Sequence, residues 1–156
     1  MARRRPDPAD AAFRQLTEEG CTLQRLHAAN RLAGQVYAGY FAETGLTAPQ
    51  FGTLAFLYRD GSHAVGELAA LLDSDQTTIT RNLRLLEQRG LVRQAVAPED
   101  RRRRVIRLTP EGRRAFQKAL PLWQKAQAAL TEILGRAQTA AFNRQLDEAM
   151  ARLRET

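Results

Sequence analysis

The chain has 156 residues, 44% of them hydrophobic and 26% charged, with a formal net charge of +7. That is enough for one domain with a real core, it holds no apolar run able to span a bilayer, and its basic balance points toward an anionic partner. Cys21 is the only cysteine, and His27 and His63 are the only histidines. An intrachain disulfide and a cysteine-rich zinc site are therefore excluded, and neither a metal nor a cofactor is expected. No Gly-rich phosphate loop, nucleophile elbow or paired-carboxylate pattern is visible, which argues against an enzyme. The opening "MARRRPDPAD" is basic, with no apolar stretch behind it to make a signal peptide, so the expectation is a cytoplasmic protein with no membrane partner.

Residues 1–7 read as a disordered basic tail, and Asp7 or Asp10 can cap a short helix ending near Gly20. "CTLQRLHAANRLAGQVYAGYF" then places Leu23, Leu26, Leu32, Val36 and Tyr40 at helical spacing, with Gly45 as the stop. "TAPQ" at 47–50 fits a capping box, in which Thr47 and Gln50 satisfy each other's backbone donors. The helix behind it carries Phe51, Leu54, Ala55 and Tyr58 and ends before "RDGS". A short helix with Val65, Leu68, Ala69 and Leu72 on one face follows, then the turn Asp73-Ser74-Asp75.

"DQTTITRNLRLLEQRG" (75–90) is the next helix, closed by Gly90. Wound at about 100° per residue, it gathers Ile79, Leu83 and Leu86 on one face. Thr77, Thr80, Arg81, Arg84 and Gln88 fall on the other. β-Branched residues are mediocre helix formers, so this face of threonines and arginines is not explained by helix stability. Short hydroxyl side chains permit close approach, helix N-terminal N–H groups favour phosphate, and arginine and threonine can contact base edges. With the short helix and turn before it, the stretch reads as the recognition helix of a helix-turn-helix. A solvated face on an ordinary amphipathic helix would give the same pattern taken alone.

Two strands, "LVRQAV" (91–96) and "RVIRL" (104–108), enclose "APEDRRR", and the arginines run unbroken from 101 to 104. Like charges so close repel unless an anion is near, and a basic hairpin tip can reach a narrow minor groove. Helix-turn-helix plus basic hairpin is a winged helix. "TPEG" at 109–112 then starts a helix, with Thr109 as N-cap and Pro110 in its first turn. One long element runs from Pro110 to about Leu134 with Phe116, Leu120, Trp123 and Leu130 on a stripe. A last helix runs from Thr139 to about Leu153 with Phe142, Leu146, Met150 and Leu153. These stripes are too large for so small a winged domain to cover, which predicts a partner subunit.

The sequence resembles the MarR family of transcriptional regulators. The resemblance rests on Thr80-Arg81, Leu86-Glu87, Gly90-Leu91, Asp100-Arg101-Arg102 and Leu108-Thr109 with Gly112. It implies a mainly α fold with a small β-hairpin wing: a winged helix-turn-helix flanked by N- and C-terminal dimerisation helices. Within one domain spanning 8–156, the dimerisation helices would occupy 8–44 and 110–154, and the winged helix-turn-helix 47–109. It further implies a homodimeric repressor on a pseudo-palindromic operator in double-stranded DNA, released by a small anionic or phenolic ligand. Thr77, Thr78, Thr80, Arg81, Arg84 and Gln88 would contact DNA from the helix. Asp100, Arg101, Arg102, Arg103 and Arg104 would do so from the wing, with Arg102 in the minor groove and Asp100 holding its guanidinium. The effector would lie among Cys21, Arg25, His27, Tyr37, Tyr40, Gln50 and Phe51. Cys21 does not occupy the position at which the peroxide-sensing branch keeps its reactive cysteine, so oxidation of Cys21 is the alternative switch. A non-specific DNA-packing protein is the alternative function.

Overall fold

The computed structural model describes residues 13, 20–97, 100 and 102–155. The predicted basic tail, the helix capped by Asp7 or Asp10, and Arg101 lie outside them. The chain divides into two compact units, residues 1–35 and 36–156.

Helix α1 (Thr22–Phe41) is followed by a 3₁₀ turn (Ala42–Thr44) and stopped by Gly45 at φ 61°. Helix α2 (Ala48–Asp60) opens on the predicted capping box: Gln50 N–H donates to Thr47 Oγ1 at 3.3 Å, and Thr47 N–H to Gln50 Oε1 at 3.0 Å. It runs through Arg59 and Asp60, beyond the predicted end, and stops at Gly61 (φ 86°). Strand β1 (Ser62–His63) was not foreseen; it is held by pairing Ser62 with Arg107 and His63 with Ile106. Helices α3 (Val65–Leu71) and α4 (Gln76–Gln88) flank the predicted turn, in which Asp73 adopts φ 46°. Aspartate is among the few residues that tolerate this region. Its carboxylate is clasped by Arg154, Nε to Oδ1 at 3.2 Å and Nη2 to Oδ2 at 2.6 Å.

Gly90 (φ 67°) ends α4 as expected. Leu91 N–H reaches Leu86 C=O at 2.9 Å and Gly90 N–H reaches Glu87 C=O at 2.8 Å, the paired bonds of a Schellman cap. Strands β2 (Val92–Val96) and β3 (Arg104–Leu108) form the wing, giving an antiparallel sheet of order β1-β3-β2. Thr109 caps α5 (Pro110–Leu134), and α6 (Arg136–Arg154) completes the chain. The last helix begins earlier than Thr139. The Gly135 carbonyl accepts both the Thr139 N–H (2.8 Å) and its hydroxyl (2.7 Å), so Thr139 sits inside the first turn.

The core joins these elements within residues 36–156. Leu54 and Leu57 of α2, Leu68 of α3, Ile79 and Leu86 of α4, Val92 and Ile106 of the sheet, and Phe116 of α5 are buried together. Phe51 stands at its aromatic centre, with ring centroids 5.3 Å from Phe41 and Phe116 and 6.0 Å from Trp123. Burial of Ile79, Leu83 and Leu86 fixes the roll of α4. Arg89, just past that helix, donates Nη1 to Gly45 C=O at 2.7 Å and Nη2 to Thr44 C=O at 2.9 Å. The fork ties the end of α4 to the turn that follows α1.

Candidate nucleic-acid interface

With its apolar face spent on the core, α4 turns Thr77, Thr80, Arg81, Arg84 and Gln88 to solvent, the outward set read from the sequence, and Thr78 with them. Asp75 caps the helix, accepting the Thr78 N–H at 2.8 Å and its hydroxyl at 2.7 Å. The Thr80 hydroxyl donates to Gln76 C=O at 2.7 Å. Two of the three hydroxyl protons are thus engaged locally. What Thr78 and Thr80 can offer a ligand is a methyl group and oxygen lone pairs, suited to a thymine methyl or a donor on a base edge.

A small cleft of about 150 Å³ joins α4 to the wing, lined by Thr80, Arg84 and Glu87 on one side and Val92, Gln94 and Ile106 on the other. Among the described residues, Arg81, Arg84, Arg102 and Arg104 have no carboxylate partner, although the chain forms ion pairs at Arg59, Arg103, Arg114, Arg136 and Arg154. Exposed guanidinium groups left without an acid are suited to phosphate and to guanine.

Asp100 does not act as expected. Its Oδ1 accepts the backbone N–H of Arg102 at 2.8 Å, and Arg103 N–H bonds the Asp100 carbonyl at 3.0 Å. The carboxylate shapes the turn that presents Arg102 and does not grip its guanidinium. This is the usual Asx-type use of a short acid next to a free backbone donor.

A charge cluster that went unread in the sequence sits at the wing's base. Arg59 binds Asp60 through Nε–Oδ1 (2.6 Å) and Nη2–Oδ2 (2.7 Å), and His63 Nε2 lies 2.8 Å from Asp60 Oδ2. His63 Nδ1 is 3.6 Å from Glu67, whose other oxygen binds Arg103. The Arg59 hydrogen bond, with His63 assisting, holds the Asp60 carboxyl at about 2. The Ala64 N–H, then Arg103 and His63, lower that of Glu67, and the Thr78 hydroxyl and N–H lower that of Asp75. Carboxyls lowered on folding stabilise above their unfolded values, roughly 3.9 for Asp and 4.3 for Glu, and lose that contribution as pH falls through the folded values. The thermal midpoint is accordingly expected to be flat in this respect above about pH 5 and to decline toward pH 2, checked by melting curves across that range.

In residues 1–35, Cys21 is half-buried and Arg25 and His27 are exposed. In residues 36–156, Tyr40 is at the surface, while Tyr37 is half-buried, donates its hydroxyl to Gln127 Oε1 and has its pKa raised by burial. Gln50 is engaged in its capping box and Phe51 in the aromatic core. The expectation did not include an open groove of about 260 Å³ on α5 and the start of α6, lined by Trp123, Gln127, Thr131 and Arg136 among others.

A short helix, a turn, a solvent-facing recognition helix and a two-stranded wing that presents Arg102 and Arg104 define a winged helix-turn-helix DNA-binding protein. The chain matches the MarR family model over residues 44–103. It is 28% identical over 138 residues to the uncharacterized HTH-type transcriptional regulator YdgJ of Bacillus subtilis (strain 168), covering 88% of this chain and 80% of that one. The M. tuberculosis transcriptional regulator MosR, solved in complex with DNA, is 38% identical with a TM-score of 0.68, over 83% of this chain and 98% of that one. The transcriptional repressor CouR, solved on a 23-mer DNA duplex, is 28% identical with a TM-score of 0.75, over 87% and 95%. The chain belongs to the MarR family of transcriptional regulators.

Proposed function

We propose that the protein is a homodimeric repressor that reads a pseudo-palindromic operator and is released by a small anionic or phenolic ligand. The observation that carries DNA readout is the pair of guanidinium groups, Arg81 and Arg84, on the exposed face of α4, neither with a carboxylate partner among the described residues. Thr77, Thr80 and Gln88 share that face, and Arg102 would enter the flanking minor groove. Replacing Arg81 or Arg84 by Ala is expected to weaken operator binding by about 1–3 kcal/mol where the residue forks onto guanine. Random duplex should lose less; equal losses on both would reduce the role to phosphate contact. Arg102→Ala should cost most on A·T-flanked operators, because narrow grooves attract arginine. Unchanged relative affinity for A·T- and G·C-flanked sites would remove Arg102 from the minor groove.

Open apolar faces support the dimer. Leu23 and Leu32 of α1 are 62% and 55% exposed, and Ile133 and Leu153 of α5 and α6 are each 68% exposed. In this reading 8–44 and 110–154 supply the dimer contacts and 47–109 the winged lobe. Light scattering should give twice the chain mass, and footprinting should show half-sites about 10 base pairs apart or a multiple of that.

The groove beside Trp123, with the Arg136 guanidinium at its edge and the Tyr37–Gln127 bond next to it, supports an aromatic acid as effector. A thermal-shift screen of phenolic acids tests this. Release by hydroperoxide that disappears in Cys21→Ser would transfer the switch to Cys21.

A further inference from the structure

Glu67 is the third residue of α3, and its carboxylate serves two elements. Oε2 accepts the Ala64 N–H at 2.8 Å, completing the first turn of the helix, while Oε1 binds the Arg103 guanidinium. Arg103 lies at the tip end of the wing, immediately before β3, 36 residues further along the chain and directly after Arg102. Both side chains are partly in water, with Glu67 46% and Arg103 38% exposed, and ion pairs in that setting contribute little to stability. The contact matters more for charge. Four arginines stand in a row at 101–104, and each one free to meet a phosphate adds affinity without adding sequence information. Binding to every duplex would rise, and the margin between operator and bulk DNA would shrink.

The surroundings keep Glu67 in place for this role. His63 faces it from β1, with Asp60 and Arg59 behind, so acids and bases alternate along the cluster. Arg102 and Arg104, on either side of Arg103, have no such acid among the described residues.

We propose that Glu67 is a specificity-determining residue: by holding Arg103 it withholds one guanidinium from the DNA backbone and leaves discrimination to α4 and Arg102. The inference rests on the wing being a DNA contact. E67Q is the informative variant, because glutamine can still accept the Ala64 N–H but cannot neutralise Arg103. The full chain, E67Q, E67Q/R103Q and R102Q would be titrated with a random-sequence duplex and with an operator selected from a random pool, between 50 and 200 mM salt. E67Q is expected to bind random duplex more tightly, its log affinity falling more steeply with log salt by about 0.9, the value of one added phosphate contact. Its ratio of operator to random affinity should fall, and the gain should vanish in E67Q/R103Q. An unchanged slope, weaker binding of both duplexes, or a gain that survives in E67Q/R103Q would overturn the proposal. R102Q tests the wing itself: if it binds both duplexes as the unmodified chain does, the wing contact fails and the inference fails with it.

Discussion

Gly112→Ala is expected to unfold the protein at temperatures the unmodified chain withstands. Gly112 lies in the first turn of α5, where its N–H bonds the Thr109 hydroxyl at 3.0 Å. A methyl group at its Cα would stand 1.8 Å from the Leu91 carbonyl oxygen and 2.8 Å from the carbonyl carbon. Those are backbone atoms, and they are already held: the Leu91 carbonyl takes the Thr109 N–H at 3.1 Å, and the Gly90 carbonyl takes the Thr109 hydroxyl at 2.6 Å. Helix α5 and the strand entry therefore cannot separate without breaking the cap. The cost should be about 3 kcal/mol, a fall in thermal midpoint of about 6–12 °C for a chain this long, measured at fixed protein concentration. Gly66→Ala is the control. Its new methyl would meet only the end of the flexible Gln76 side chain, at 3.2 Å, and its midpoint should hardly move. A Gly112→Ala protein as stable as that control would mean that the approach of α5 to Leu91 is looser than described.

Phe51→Ala is expected to cost about 3–5 kcal/mol, the range for an aromatic removed from a packed interior. The residue is 6% exposed and its ring stacks on Phe116 and Trp123 while touching Phe41, so one truncation loosens α1, α2 and α5 together. Chemical denaturation gives the value directly. The same experiment weighs a ligand-contact role against a packing role. Were Phe51 chiefly a wall of the effector site, stability would change by less than about 1 kcal/mol and only the ligand response would move.

The features legible in the sequence are those whose partners lie within a few residues of one another. Thr47 with Gln50, Thr109 with the start of its helix and the Gly90 cap are all local, and each formed where the spacing placed it; the Asp75–Thr78 cap is equally local, though from the sequence Asp75 reads only as part of a turn. The two faces of α4 were also legible, because a 3.6-residue period suffices to separate Ile79, Leu83 and Leu86 from the arginines. The contacts that join distant segments could not be read this way. Ser-His has no strand pattern of its own, and becomes one only against Arg107 and Ile106. Arg89 looked like an ordinary charged residue at a helix end, yet its acceptors lie 44 and 45 residues earlier. Glu67 could be seen as a helix-start acid, but nothing local announces Arg103. Asp100 was legible as important and misread in detail, since sequence cannot tell a side-chain grip from a bond to the neighbouring backbone N–H.

The ladder between β2 and β3 pairs Val92 with Leu108, Gln94 with Ile106 and Val96 with Arg104, and beyond the last pair Ala97 N–H still reaches Arg103 C=O at 2.9 Å. Length and phase are therefore separate variables in this hairpin. Residues inserted between Ala97 and Arg103 would lengthen the tip and leave every pair of the ladder intact. Deleting a single residue inside β3 would shift the alternation by one and exchange the faces of Val105 and Ile106, both of which are buried in different surroundings. Tip length can thus change while the parity of the strands is kept, and an engineer transplanting a wing onto this scaffold needs to match parity before length.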